Sequence, residues 1–197
     1  YKKVLQTIYT FPHFLSWVIV AGIVKNFLML DGPVNKILLL LGLDKPINFL
    51  AIPSIFRPIL YATEIWKGAG WNSIIYLAAI ATINHELYEA AIVDGSNRFR
   101  RIIHITLPSI RDTIVLLLLL SIANVMNAGF DQIFNMYNPV VKSISEIIDT
   151  YIYNITFLAR PDFGYSTAVG LFKSVINLLL LVIGDRCAKA LGSRGIF

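Results

Sequence analysis

Residues 84–108 read NHELYEAAIVDGSNRFRRIIHITLP, and residues 109–121 continue SIRDTIVLLLLLS. The first part mixes charges with small and apolar side chains, whereas the second carries no charge after Asp112. Leu87, Ala90 and Ala91 share one face of a short helix. Gly95 suits the left-handed position that ends such a helix, and Ser96 or Asn97 can cap the next one. Phe99, Ile102 and Ile103 make the apolar face of that second helix, which Pro108 is expected to stop. Ser109-Ile110-Arg111-Asp112 has the layout of a capping box ahead of a purely apolar run. The stretch therefore predicts a small helix–turn–helix knob delivered directly into a membrane helix.

Composition extends that reading to the whole chain. Of 197 residues, 56% are hydrophobic and only 15% are charged, and the mean hydropathy is +0.68. One core of this length cannot hide so much apolar surface, so the remainder must face hydrocarbon or a partner. The single cysteine, Cys187, excludes an intramolecular disulfide, and no Cys/His cluster has metal-ligand spacing. The expected class is an all-α polytopic transmembrane helix bundle, one domain over 1–197.

Four spans are expected, at about 9–30, 59–83, 113–134 and 165–183. The first is flanked by Lys2 and Lys3 and ends at Asp31-Gly32-Pro33; at 1.5 Å per residue it matches a hydrocarbon core of roughly 30 Å. Val34 to Leu43 is too short to cross and is expected to lie at the interface. The second span carries Glu64, Lys67 and a predicted kink or break at Gly68-Ala69-Gly70. Residues 140–164 read as a polar loop with an amphipathic stretch around Tyr151. The last span is expected to stop at Gly184-Asp185-Arg186.

With four alternating spans, the N-terminus, residues 84–108 and the C-terminus share a side. Lys2, Lys3, Arg98, Arg100, Arg101, Arg186, Lys189 and Arg194 lie there, against Lys36, Lys45, Lys142 and Arg160 opposite. The positive-inside rule puts the richer side in the cytoplasm. The net charge of +5 is not gathered into one basic, aromatic-interleaved stripe, so nucleic acid is not an expected partner.

Glu89-Ala90-Ala91, three residues, Gly95, nine residues, Ile105, one residue, Leu107-Pro108 is similar to the EAA signature of binding-protein-dependent ABC importer permeases, without a gap. Pro12-His13-Phe14-Leu15-Ser16-Trp17, Ile47-Asn48-Phe49-Leu50 and Trp66-Lys67-Gly68 resemble the subgroup serving complex-carbohydrate importers. The resemblance covers nearly the whole chain. It implies the type I importer permease fold, normally of six spans, so that the four here follow two at a missing N-terminal end, which agrees with a start at Tyr1. It implies that 84–108 is a coupling loop seated in a cytoplasmic ABC ATPase dimer, with Glu89 the acidic contact, Gly95 the bend, and Ala90, Ala91, Ile105, Leu107 and Pro108 the rest of the signature. The other implied partners are a second permease subunit, expected as a heterodimer, an extracellular or periplasmic solute-binding protein, and the lipid bilayer of a bacterial inner membrane. The implied solute is a sugar or oligosaccharide; a non-carbohydrate solute, or an ATP-independent channel or scaffold, is the alternative.

Other patterns carry less. His85-Glu86-Leu87-Tyr88-Glu89 lacks the second histidine of a zincin, and no Gly-x4-Gly-Lys-Ser/Thr loop is present, so ATP is expected on the partner, and no cofactor, metal or catalytic residue is expected on the chain itself. Glu64, Asp131 and His104 are the groups that a membrane-embedded enzyme would have to use. Polar residues in spans demand a reason. Asn124, Asn127 and Asp131, at i, i+3 and i+7, are placed on one face of the third span, where they would line a translocation path or bond between helices. Glu64 and Lys67 are spaced to pair with each other, and Trp17, Trp66 and Trp71 to anchor at the interface or stack on sugar rings.

Overall fold

The computed structural model describes residues 1–158, 162–190, 192, 193 and 195. Arg160 and Arg194, counted above for topology, lie outside the described residues. Every regular element among the described residues is helical: α1 (Lys2–Thr10), α2 (Trp17–Leu28), α3 (Pro33–Leu40), α4 (Pro53–Ala81), α5 (His85–Val93), α6 (Arg98–Ser109), α7 (Arg111–Ala123), α8 (Phe130–Met136), α9 (Ile148–Tyr153) and α10 (Phe163–Ala190), with short 3-10 and single-turn pieces between them. This is the all-α class of the sequence reading.

By length and composition, Trp17–Leu40 and Phe163–Ala190 can each cross a membrane, and α6 with α7, bent by 63°, makes a third if counted as one span. Within Trp17–Leu40 the backbone turns extended at Met29 and Gly32, which separates α2 from α3. Helix α4 has 29 residues, ample length, but Arg57, Glu64 and Lys67 dilute its apolarity.

The chain divides into two compact units, Tyr1–Trp71 with Asn127–Thr167, and Asn72–Met126 with the residues from Ala168 onward. In the first, Ala21, Leu50, Phe56, Leu60, Ile133, Met136 and Val141 form the core, against which Val24, Leu28, Ile59, Ile144 and Ile147 pack. Three amides lock its loops. Asn35, fully buried, donates to the carbonyls of Met29 (2.9 Å) and Ile47 (2.8 Å) and accepts from Ile47 N–H (2.8 Å). Gln132 donates to Leu60 O (2.7 Å) and Thr63 Oγ1 (2.8 Å), and Asn138 to Leu50 O (2.7 Å). A buried amide left unbonded would be costly, so these side chains determine which loop meets which helix.

Four local expectations need correction. Helix α4 runs unbroken through Gly68-Ala69-Gly70; Gly70 is there because a Cβ would strike the carbonyl of Tyr9. Glycine serves a close approach, not a break. Helix α10 continues past Gly184-Asp185-Arg186 to Ala190, with the nearly buried Asp185 bridged to Lys189 at 3.1 Å, four residues on. The run 113–134 is not one helix: α7 ends at Ala123, and Gly129, at φ 71°, precedes α8. The described part of the polar stretch, 140–158, is itself largely helical, through α9 and a π turn, Asn154–Leu158.

In the second unit, Leu119 is the most buried large side chain of α7, and Asn177 on α10 accepts the Met126 N–H at 3.3 Å, satisfying one donor where the helical run ends. Leu171, Phe172, Val175, Leu178, Leu179 and Ile183 of α10 are all exposed. In water that surface would be unfavourable; against lipid chains it costs nothing.

Candidate functional site: the 84–108 knob and a polar cavity

Asn84 starts α5, its Oδ1 accepting Glu86 N–H at 3.0 Å while its Nδ2 donates to Glu86 Oε2 at 3.0 Å. The helix ends as a Schellman motif: Gly95 N–H donates to Ile92 O (3.0 Å) and Ser96 N–H to Ala91 O (2.8 Å), with Gly95 at φ 72°. A Cβ at Gly95 would meet nothing within 4 Å, so the demand for glycine is conformational. Asn97, not Ser96, caps α6, accepting Arg100 N–H at 2.8 Å.

Pro108 does not stop α6. The helix passes through it to Ser109, because Ile102–Thr106 forms a π turn in which Leu107 N–H reaches back to Ile102 O. The wider turn relieves the clash of the proline ring with the preceding carbonyls. The break falls instead at Ile110 (φ −99°, ψ 9°), and α7 starts there with no side-chain cap, so the predicted capping box at Ser109 to Asp112 does not form. Tyr88 Oη and Thr106 Oγ1, 2.8 Å apart, tie α5 to the π turn. Neither residue was singled out in the sequence, where nothing in their spacing marks the pairing.

No residue of α5 or α6 is buried. Glu89 and Ala90 stand exposed, Ala91 and Ile105 half-buried, Leu107 and Pro108 exposed. Beside them Leu87, Ile92, Val93 and Phe99 also face outward, Val93 by 88%. The knob is stiff at its caps yet apolar on its free face, the form of a docking element.

A second polar feature lies in the first unit. Arg57, Tyr61 and Glu64 of α4, Asn127 to Gly129 of the loop before α8, Gln132 of α8, and Ile144 to Ile147 line a cavity of 540 Å³. Arg57 Nε donates to Ile144 O at 3.0 Å, leaving the rest of the guanidinium toward the cavity wall. Glu64 and Lys67 do not pair: Lys67 Nζ donates to His13 O at 2.7 Å and sits 5.5 Å from the Trp17 ring centroid. Trp71 stacks on His13 at 4.5 Å with Phe14 edge-on. The rings of Trp17 and Trp71 thus contact neighbours within the chain, although Trp71 remains exposed.

The path residues are not brought together on a helix face. Asn124 sits at the end of α7, its Nδ2 donating to Leu120 O at 2.9 Å; Asn127 lies in the loop at the cavity wall; Asp131 is exposed on α8. Of the groups an enzyme would need, His104 Nδ1 lies 3.0 Å from its own helix carbonyl at Arg100. Among the described residues no group of three His, Cys, Asp or Glu is placed to hold a metal ion.

Residues 2–193 match the family described as binding-protein-dependent transport system inner membrane component. The chain belongs to that family. It is 44% identical over 198 residues to protein LplB of Bacillus subtilis, covering 100% of this chain and 62% of the relative. It is 43% identical to the polygalacturonan/rhamnogalacturonan transport system permease protein YteP of the same organism, covering 100% and 61%. Among solved structures, a chain of a bacterial alginate ABC transporter, in complex with an alginate pentasaccharide-bound periplasmic protein, superposes with a TM-score of 0.93 at 41% identity, covering 100% of this chain and 68% of that one. The chain thus spans about three fifths of the length of the curated relatives it matches. Among the described residues, the 84–108 knob and the α4–α8 cavity are two places where polar or unburied groups gather.

Proposed function

We propose that this chain is the translocating part of a permease subunit in an ATP-driven, solute-binding-protein-dependent importer of oligosaccharides. The observation that carries the reading is the knob: two capped helices with no buried residue, on which Glu89 and the apolar Leu87, Ile92, Val93 and Phe99 are exposed. Such a surface fits a cleft in another protein, and family membership supports a cytoplasmic ATPase dimer as that protein. ATP would be bound there, and this chain would supply no covalent chemistry. The second permease subunit, an extracellular or periplasmic binding protein and a bacterial inner membrane complete the assembly, with residues 84–108 inside the cell.

The coupling would be mechanical. Closure of the ATPases would push on α5; the Schellman turn and the Tyr88–Thr106 bond make α5 and α6 one lever, and the 63° bend at Ile110 passes its motion to α7. The four crossing segments are best drawn around α2, α4, α7 with the following loop and α8, and α10. An irregular loop in a crossing segment is tolerated where it lines a cavity, so the path is assigned to Asn127 with Glu64 and Tyr61 ahead of Asn124 and Asp131. The names of the relatives support a sugar as solute, and the hydroxyl-matching groups of this cavity agree with one.

The test uses the full-length subunit assembled with its ATPase. Glu89→Lys should abolish stable ATPase co-purification and sugar uptake in proteoliposomes, whereas unchanged binding and uptake would overturn the reading.

A further inference from the structure

The 540 Å³ cavity has a smaller neighbour. Phe134, Tyr137, Glu146, Thr150, Tyr153 and Asn154 line a hollow of 150 Å³, and Glu146 stands in the walls of both. At well below the roughly 300–1,000 Å³ of a drug-sized site, it has room for one six-membered ring. On its apolar side Phe134 meets Tyr153 edge-on at 4.9 Å, and both rings are backed from outside the hollow, Phe134 by Phe130 at 5.2 Å and Tyr153 by Phe157 at 5.3 Å. Its polar side is only partly committed. Thr150 Oγ1 donates to Ile147 O and accepts Ile147 N–H, and Glu146 reaches Lys142 no closer than 4.0 Å. Asn154, half-buried, is part of the same wall.

A pyranose ring is the chemical complement of that arrangement, since it offers an apolar C–H face bordered by a girdle of hydroxyls. We propose that the hollow is a subsite for one sugar unit at the end of an oligosaccharide whose other units lie in the adjoining cavity. The ring face packs on Tyr153 and Phe134, Asn154 donates to and accepts from ring hydroxyls, and the Glu146 carboxylate accepts one at the junction. The subsite rests on the oligosaccharide reading and sharpens it: it makes binding depend on chain length.

The test is equilibrium binding to the purified full-length transporter without its binding protein. The probes are labelled disaccharides and pentasaccharides from alginate, polygalacturonan and a neutral glucan. With Asn154→Leu, pentasaccharide affinity should fall about ten-fold, the effect of one good hydrogen bond, while disaccharide affinity and the melting temperature stay as in the parent protein. Tyr153→Leu should act in the same direction. If the parent binds sugars and both variants leave the length dependence unchanged, or weaken both lengths equally, the subsite is wrong while the oligosaccharide reading stands. If the parent binds none of the sugars, both fall together.

Discussion

Asn35 makes three hydrogen bonds with no exposed surface, and every one of them goes to a backbone group in the loops on either side of α3. Asn35→Leu would strand those groups in a dry interior, and a loss of about 3 kcal/mol is expected, seen as a drop in the melting temperature of the detergent-solubilised protein. Gly70 and Gly95 need glycine for different reasons. Gly70→Ala forces a Cβ onto the Tyr9 carbonyl and should destabilise by about 1–3 kcal/mol in the same assay. At Gly95 there is open space, so Gly95→Ala should cost only the left-handed backbone term, about 1–2 kcal/mol and local to the knob. Gly95→Pro cannot adopt φ 72° at all, and should abolish uptake without lowering expression; retained uptake would refute the lever.

At the scale of elements, α6 departs most from expectation. A proline usually ends a helix, yet here the π turn absorbs it and moves the break two residues on, to Ile110. Relaxing the π turn to α geometry would remove one residue's worth of winding, about 100° of rotation between Arg98 and α7. Pro108→Ala is therefore expected to turn the knob relative to its span. Uptake should drop several-fold while the ATPase still co-purifies; normal uptake would show that the orientation is immaterial. The interruption between α7 and α8 is an element-scale fact of the same kind. Periodicity places Asn124, Asn127 and Asp131 in register only if the helix is continuous, and the left-handed Gly129 shows that it is not.

For the whole molecule, the topology makes a side-specific prediction. Cys187 is exposed and must first be replaced by serine. In that background, cysteines placed at Glu89 and at Ser143 should react with an impermeant maleimide from opposite faces of membrane vesicles, Glu89 only when the cytoplasmic face is outward. Labelling of both from one face would contradict an odd number of crossings between them.

What the sequence determined by itself is whatever depends on composition and on short-range spacing: a helical membrane protein, the glycine turn at Gly95 with a cap at Ser96 or Asn97 after it, and the signature loop that places the chain among the inner-membrane transport components. Such features are written in neighbours one to four residues apart, so a single strand of letters carries them. Only the tertiary structure decided the rest: that Gly70 marks a contact and not a kink, that Lys67 turns to His13 and Trp17 instead of Glu64, that Gln132 and Asn35 are structural, and that Tyr88 holds Thr106. Each of these is a meeting of groups far apart in the chain, and which polar group finds which partner is settled by the packing that brings them within 3 Å of each other, not by the intervals that separate them in sequence.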